Sequence, residues 1–171
     1  MNIPETYNYL VRARHDLWAV LEAQPNEVLS RQLLDGDRFH CIKDLVMHIP
    51  GVEDGWIHED ILREPPVWQA LPTLKDVANV SFYTDFAIGT LLDYWQRVER
   101  STLAYLTTLT DDELKRGVVL HDSPEERFTV DGLLWHVMIH EMRHTAQIAV
   151  LLRMQGIKPP SLDLLFYLPH A

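Results

Sequence analysis

The sequence holds a single cysteine, Cys41, in 171 residues. That excludes an internal disulfide and fits a reducing compartment. Basic residues are also scarce, with 15 Lys and Arg against 25 Asp and Glu and a formal charge of −10. A chain so acidic offers no broad basic face for phosphates, so nucleic acid is not an expected partner. Long apolar runs are missing: charges interrupt each one well short of the roughly 18 residues a membrane span needs. Met1 to Glu5 has no basic stretch leading into an apolar one, so neither a secretory leader nor a membrane anchor is expected, and the reading is cytoplasmic. What remains is 47% hydrophobic and 23% charged, the composition of one globular domain over residues 1–171. About 150 residues already bury roughly 70% of the unfolded surface, so a metal here would be functional rather than a structural staple.

Glycine and proline fall between periodic segments rather than every ten residues, which predicts an all-α fold. The first helix is expected from about Pro4 to just before Pro25, with Leu10, Ala13, Leu17, Val20 and Leu21 as its apolar stripe. A second segment spaces Ile42, Leu45, Val46, Ile49, Val52, Trp56, Ile57 and Ile61 at intervals of three and four. Pro50 lies inside it and removes a backbone hydrogen bond, predicting a kink near His48. Arg63 to about Phe82 contains Pro65, Pro66 and Pro72 and reads as a long crossover with at most a short helical turn. Asp85 is the expected cap of a third helix carrying Leu91, Trp95, Val98, Thr102, Tyr105, Leu106 and Leu109, ending at Thr110, Asp111 and Asp112. A loop around Asp122, Ser123 and Pro124 leads to a last long helix, from Thr129 or Asp131 to Gly156, with Pro159 and Pro160 behind it. Four helices joined by one long crossover describe a four-helix bundle, whose sites are built from inward-pointing side chains.

In the last helix His136, His140 and His144 recur every fourth residue. Nine histidines in 171 positions give by chance about half of one four-apart pair and only a few hundredths of such a triplet. The three share the stripe of Leu133, Val137, Ile148 and Leu151, which turns them toward the core. Buried imidazoles are costly as cations and as unpaired polar groups, and a divalent ion resolves both costs. Two imidazoles four apart on a helix can converge on one ion, whereas three in line cannot all reach it. His136 is therefore placed as a pocket-lining neighbour, and a third ligand is required from another helix. His48, inside the apolar stripe of the second helix, is the choice. His58, His121, His40, His15 and His170 are weaker: His15 lies between Arg14 and Asp16, His121 in a polar loop, and His170 beside the terminus, where solvated histidines are ordinary. Cys41, seven residues before His48, reads as a small buried hydrophobe. Trp56 and Trp135 read as core packing or pocket lining.

His140, Glu141, Met142, Arg143 and His144 also match H-E-x-x-H, the zinc-peptidase motif in which the glutamate activates water. The extended pattern is absent, since Gln147 stands where a glycine is required, and only Asp163 or His170 could be a downstream ligand. The sequence also shows no strand to hold an extended peptide. Glu141 is either a proton acceptor or an exposed or interface carboxylate.

The chain resembles the DinB/YfiT-like family of metal-dependent enzymes, in which a late helix carries H-x-x-x-H-R-G-Q-I and an earlier helix one histidine. Here the late motif is His140 to His144, followed by Thr145, Ala146, Gln147 and Ile148. The early motif H-x-x-x-x-E-x-x-W is similar to His48, Glu53 and Trp56. Leu152, Arg153, Gly156, Pro159, Pro160 and Asp163 follow the downstream pattern. The resemblance implies an up-down-down-up bundle, a homodimer, and zinc or nickel held by His48, His140 and His144. It also implies a small-molecule substrate, with a low-molecular-weight thiol as cosubstrate in related transferases and isomerases. Thr145 and Ala146 depart from the family's Arg and Gly. A non-catalytic metal- or ligand-binding bundle is the alternative reading, because a fold does not dictate a reaction.

Overall fold

The computed structural model describes residues 1–36 and 38–168. His170 lies outside them. Four long helices form the body: α1 (Ile3–Glu22), α3 (Ile42–Asp54), α4 (Ile88–Leu106) and α6 (Val130–Met154), with the short helices α2 (Asn26–Leu29) and α5 (Asp111–Lys115) between them. Among the described residues no helix is long and apolar enough to cross a membrane.

Local chemistry explains most boundaries. Asn2 caps α1 by accepting from the Glu5 N–H while Glu5 reaches back to the Asn2 N–H, a capping box. Thr129 caps α6 through its hydroxyl, and Gly156, at φ +75°, provides the left-handed turn that ends it. Elsewhere the expectations need correcting. Asp85 does not cap α4, which begins after Ala87 with no side-chain cap. α4 ends at Leu106, short of Leu109 and of the expected stop at Thr110, which instead caps α5. The segment after Lys115 contains a small hairpin, β1 (Gly117–Val119) paired antiparallel with β2 (Arg127–Thr129), where only a loop was expected. Two three-residue strands are too short to show alternation in sequence. The crossover over residues 63–87 carries three 3₁₀ turns.

Pro50 does not interrupt α3, which stays α-helical to Asp54. The irregularity comes later, where residues Gly55–Leu62 continue as a π-helix ending at Arg63 in the left-handed conformation. The expected kink near His48 is thus replaced by a change of helical register beyond it.

Side-chain meetings fix the helix directions. Trp18 packs edge-on against Trp95 and Arg14 pairs with Glu99, so α1 and α4 are antiparallel. Tyr94 reaches Asp54 while Ser101 reaches His58, so α3 and α4 are parallel, as a long crossover allows. His48 meets His144 and Trp56 meets His136, so α3 and α6 are antiparallel. The topology is up-down-down-up, as expected. The core divides along the bundle axis. One apolar cluster gathers Leu17, Leu21, Leu45, Ile49, Trp95 and Leu152; the other gathers Leu10, Ile57, Leu106, Leu133, Leu134 and Met138. On every long helix the residues between these clusters are buried and polar: Arg14, Glu53 and Asp54, Glu99 and Thr102, His140, Glu141 and His144. A polar layer therefore crosses the bundle at mid-height.

Candidate metal centre

The histidines occupy the α3–α6 side of this layer. Their ring centroids are 4.7 Å apart for His48 and His140, 4.8 Å for His48 and His144, and 4.3 Å for His140 and His144. One nitrogen from each lies within 4.8 Å of the others. His48 Nε2 and His140 Nε2 are 2.9 Å apart. Two nitrogens on one tetrahedral zinc, each at about 2.0–2.1 Å, are separated by roughly 3.3 Å, so a few tenths of an ångström converts this pair into an ion-binding geometry.

Protonation favours the same use. Burial, joined by the neighbouring His144 and by Arg38 and Arg143, pushes the His48 imidazole down to about 4. Burial and the adjacent His144 and His48 push His140 down to about 3. His144 is also lowered, again chiefly by burial. All three are therefore neutral at physiological pH, the form that coordinates metals. Gln147 Oε1 sits 2.6 Å from His144 Nδ1, where it accepts the ring N–H and makes Nε2 the lone-pair nitrogen, which Arg143 Nη2 approaches at 3.2 Å. Phe39, just before α3, lies 4.7 Å from the His48 ring and 5.6 Å from that of His144, shielding one side of the cluster.

The structure brings together the three histidines chosen from sequence and leaves the other described histidines apart. The exposed His136 packs against Trp56 at 5.4 Å and stands 5.9 Å from His140, beside the cluster but not in it. Trp135 is half-buried and packs on the second apolar cluster. His40 stacks on Phe82, and exposed His121 pairs with Asp122. His15 is half exposed, yet it is not simply solvated, because its Nε2 lies 2.9 Å from Glu99. His58 is buried between Asp54, 2.8 Å away, and Ser101, 2.7 Å away. Cys41 is fully buried, and burial pushes its thiol up to about 11, which removes it as a nucleophile.

Glu141 corrects the sequence reading most. It is 1% exposed and lies on the α1 side of α6, where Arg14 grips both its oxygens, Nε to Oε1 at 2.9 Å. The same guanidinium donates to Glu99 at 3.1 Å and stands 3.8 Å from Glu53. Tyr7 and Thr102 donate to Glu53. A carboxylate held in this way faces away from the histidines and has no lone pair directed at water there, so the H-E-x-x-H match lacks its base. Sequence reasoning passed over Arg14 and Glu99. The available signal was the spacing of Tyr7, Leu10, Arg14, Leu17 and Leu21, which puts an arginine at a core position.

Comparison with known proteins agrees with this architecture. YfiT from Bacillus subtilis, described as a probable metal-dependent hydrolase with an unusual four-helix bundle topology, superposes with a TM-score of 0.68 at 22% identity, over 91% of this chain and 89% of that one. A DinB-like protein from Bacillus cereus gives 0.60 at 17% identity over 93% and 94%, and one from Bacillus subtilis 0.57 at 18% over 93% and 98%. At these identities the likeness shows the fold. No curated protein matches the chain. The DinB family model, however, matches residues 1–171 from end to end, and by that match the chain belongs to the DinB family.

Proposed function

We propose that this protein is a metal-dependent enzyme acting on a small molecule, with His48, His140 and His144 holding a divalent ion, zinc or nickel. The observation that carries the reading is the meeting of three neutral imidazoles from two helices in the polar layer. A donor set of imidazoles alone suits zinc and nickel better than calcium or magnesium, which take oxygen. Three protein ligands leave room for water or substrate, as catalytic sites require. When bound, such an ion lowers the pKa of coordinated water toward about 7 or holds a substrate thiol as thiolate. Gln147 fixes the His144 ring through Nδ1, and Phe39 keeps water from one side of the rings. The likeness to YfiT supports hydrolysis ahead of thiol transfer. With Glu141 committed to Arg14, peptidase chemistry of the H-E-x-x-H kind is disfavoured.

Elemental analysis of untagged protein tests the centre. A stoichiometric ion is expected in the parent chain and its loss in His140→Ala and His144→Ala; equal metal content in all three overturns the reading. A screen of small esters, amides and thiol–electrophile pairs then tests turnover, which His48→Ala should abolish.

A further inference from the structure

Carboxylates outnumber Lys and Arg by 25 to 15 in this chain, yet the charged side chains beside the histidine cluster are two arginines. Arg143 places Nη2 at 3.2 Å from His144 Nε2. Arg38 holds its guanidinium 5.4 Å from the centre of the Phe39 ring, the same ring that lies against His48 and His144. One arginine thus touches the cluster from α6, and the other, from the segment before α3, lies over the aromatic ring that packs against it. Three arginines away from the cluster hold carboxylates: Arg14 with Glu141 and Glu99, Arg97 with Asp93, and Arg116 with Glu113. Arg38 and Arg143 have no carboxylate partner among the described residues, and both are exposed.

Two guanidinium groups beside a site for a doubly charged cation repel it and each other. An anion that binds both the ion and the guanidinium forks turns that repulsion into attraction, and Arg is suited to this because its planar donors match oxyanions. Resting on the proposed metal centre, we infer that Arg38 and Arg143 form a clamp for an oxyanion of the substrate, a carboxylate or a phosphate-type group, next to the histidines. The clamp selects small anionic molecules and sets the reacting group against the ion.

The test is spectroscopic and needs no substrate. Protein loaded with Co²⁺ is titrated with acetate, with methylphosphonate and with neutral imidazole, following the visible cobalt bands. Both anions are expected to perturb the bands, and comparison of the two arms identifies the preferred oxyanion. Arg38→Ala and Arg143→Ala should each weaken anion binding by roughly tenfold, the scale of a charged hydrogen bond, while leaving imidazole affinity and cobalt uptake unreduced. Intact cobalt bands with unaltered anion affinity in both variants overturn the clamp alone. Absence of tetrahedral or five-coordinate cobalt bands in the parent protein overturns the histidine centre and the clamp with it.

Discussion

Arg14 and Glu141 face each other across α1 and α6 through two hydrogen bonds, with neither side chain open to water. The pair anchors a larger set, since Glu99 and Glu53 approach the same guanidinium. Isolated buried charges are costly, and here three carboxylates share one guanidinium, with His15 also against Glu99, so the set is short of positive charge. Burial foremost, then the charge of Glu141, holds the Glu53 carboxyl above its usual range, so the set carries a proton more readily than exposed glutamates do.

Removing the arginine should therefore be severe. Arg14→Met leaves buried carboxylates without their partner and is expected to cost about 3–5 kcal/mol, the scale for breaking a buried ion pair. Glu141→Gln should also destabilise while leaving cobalt uptake intact, because the carboxylate faces away from the histidines. Urea denaturation checks both. A Glu141→Gln protein that keeps full stability but fails to bind metal would contradict this division of labour within α6.

Asp54 holds another part of the layer. It accepts from the Tyr94 hydroxyl at 2.7 Å and from the Val67 and Trp68 N–H groups at 2.9 and 3.3 Å, tying the crossover to α3. His58 lies against the same carboxylate. Burial works against the His58 charge, but the hydrogen bond and field of Asp54 outweigh it and raise the imidazole pKa above 6.5. A raised histidine stabilises the folded state fully below the unfolded pKa and loses that contribution as pH rises through the folded value. The stability difference between the parent and His58→Gln should therefore be largest near pH 6 and shrink toward pH 9. Chemical denaturation at several pH values measures it, and a constant difference would rule out the charged pair.

The meeting of His48, His140 and His144 was legible in the sequence because two independent signals met: three histidines at four-residue spacing, and one histidine in the apolar stripe of an earlier helix. Long helices were equally plain, since their stripes repeat over five turns or more. The hairpin and α5 were not, because runs of three to five residues carry too little periodicity to separate strand from turn. Pro50 misled for a different reason. A proline costs a helix one hydrogen bond, but tertiary packing of Leu45, Val46 and Ile49, all within 1% of full burial, keeps α3 helical through it. Arg14 was passed over because it sits beside the polar His15 and Asp16, and sequence gives no sign that three glutamates on three other helices converge on it.

Gly156 offers a check on the end of α6. A Cβ there would meet nothing within 4 Å, so the only obstacle to a side chain is the φ of +75°. Gly156→Ala should cost about 1 kcal/mol through backbone strain alone, and Gly156→Asn less, since Asn tolerates the left-handed region. Thermal melts of the two variants would show this order. Equal melting temperatures for Ala and Asn would place the cause elsewhere.

Because the proposed ligands come from α3 and α6, which are far apart in sequence and packed against each other, ion binding should stabilise the fold as a whole. A ligand that binds only the folded state at 100 times its dissociation constant adds about 2.7 kcal/mol. Apo protein given zinc or nickel should therefore melt several degrees higher, and a chelator should reverse the gain. His48→Ala removes the ligand from α3 and should abolish most of the shift, whereas His136→Ala, whose ring packs against Trp56 beside the cluster, should retain it. Differential scanning calorimetry with and without metal distinguishes the two. A shift that survives His48→Ala would mean that α6 binds the ion alone, and the two helices would no longer share a centre.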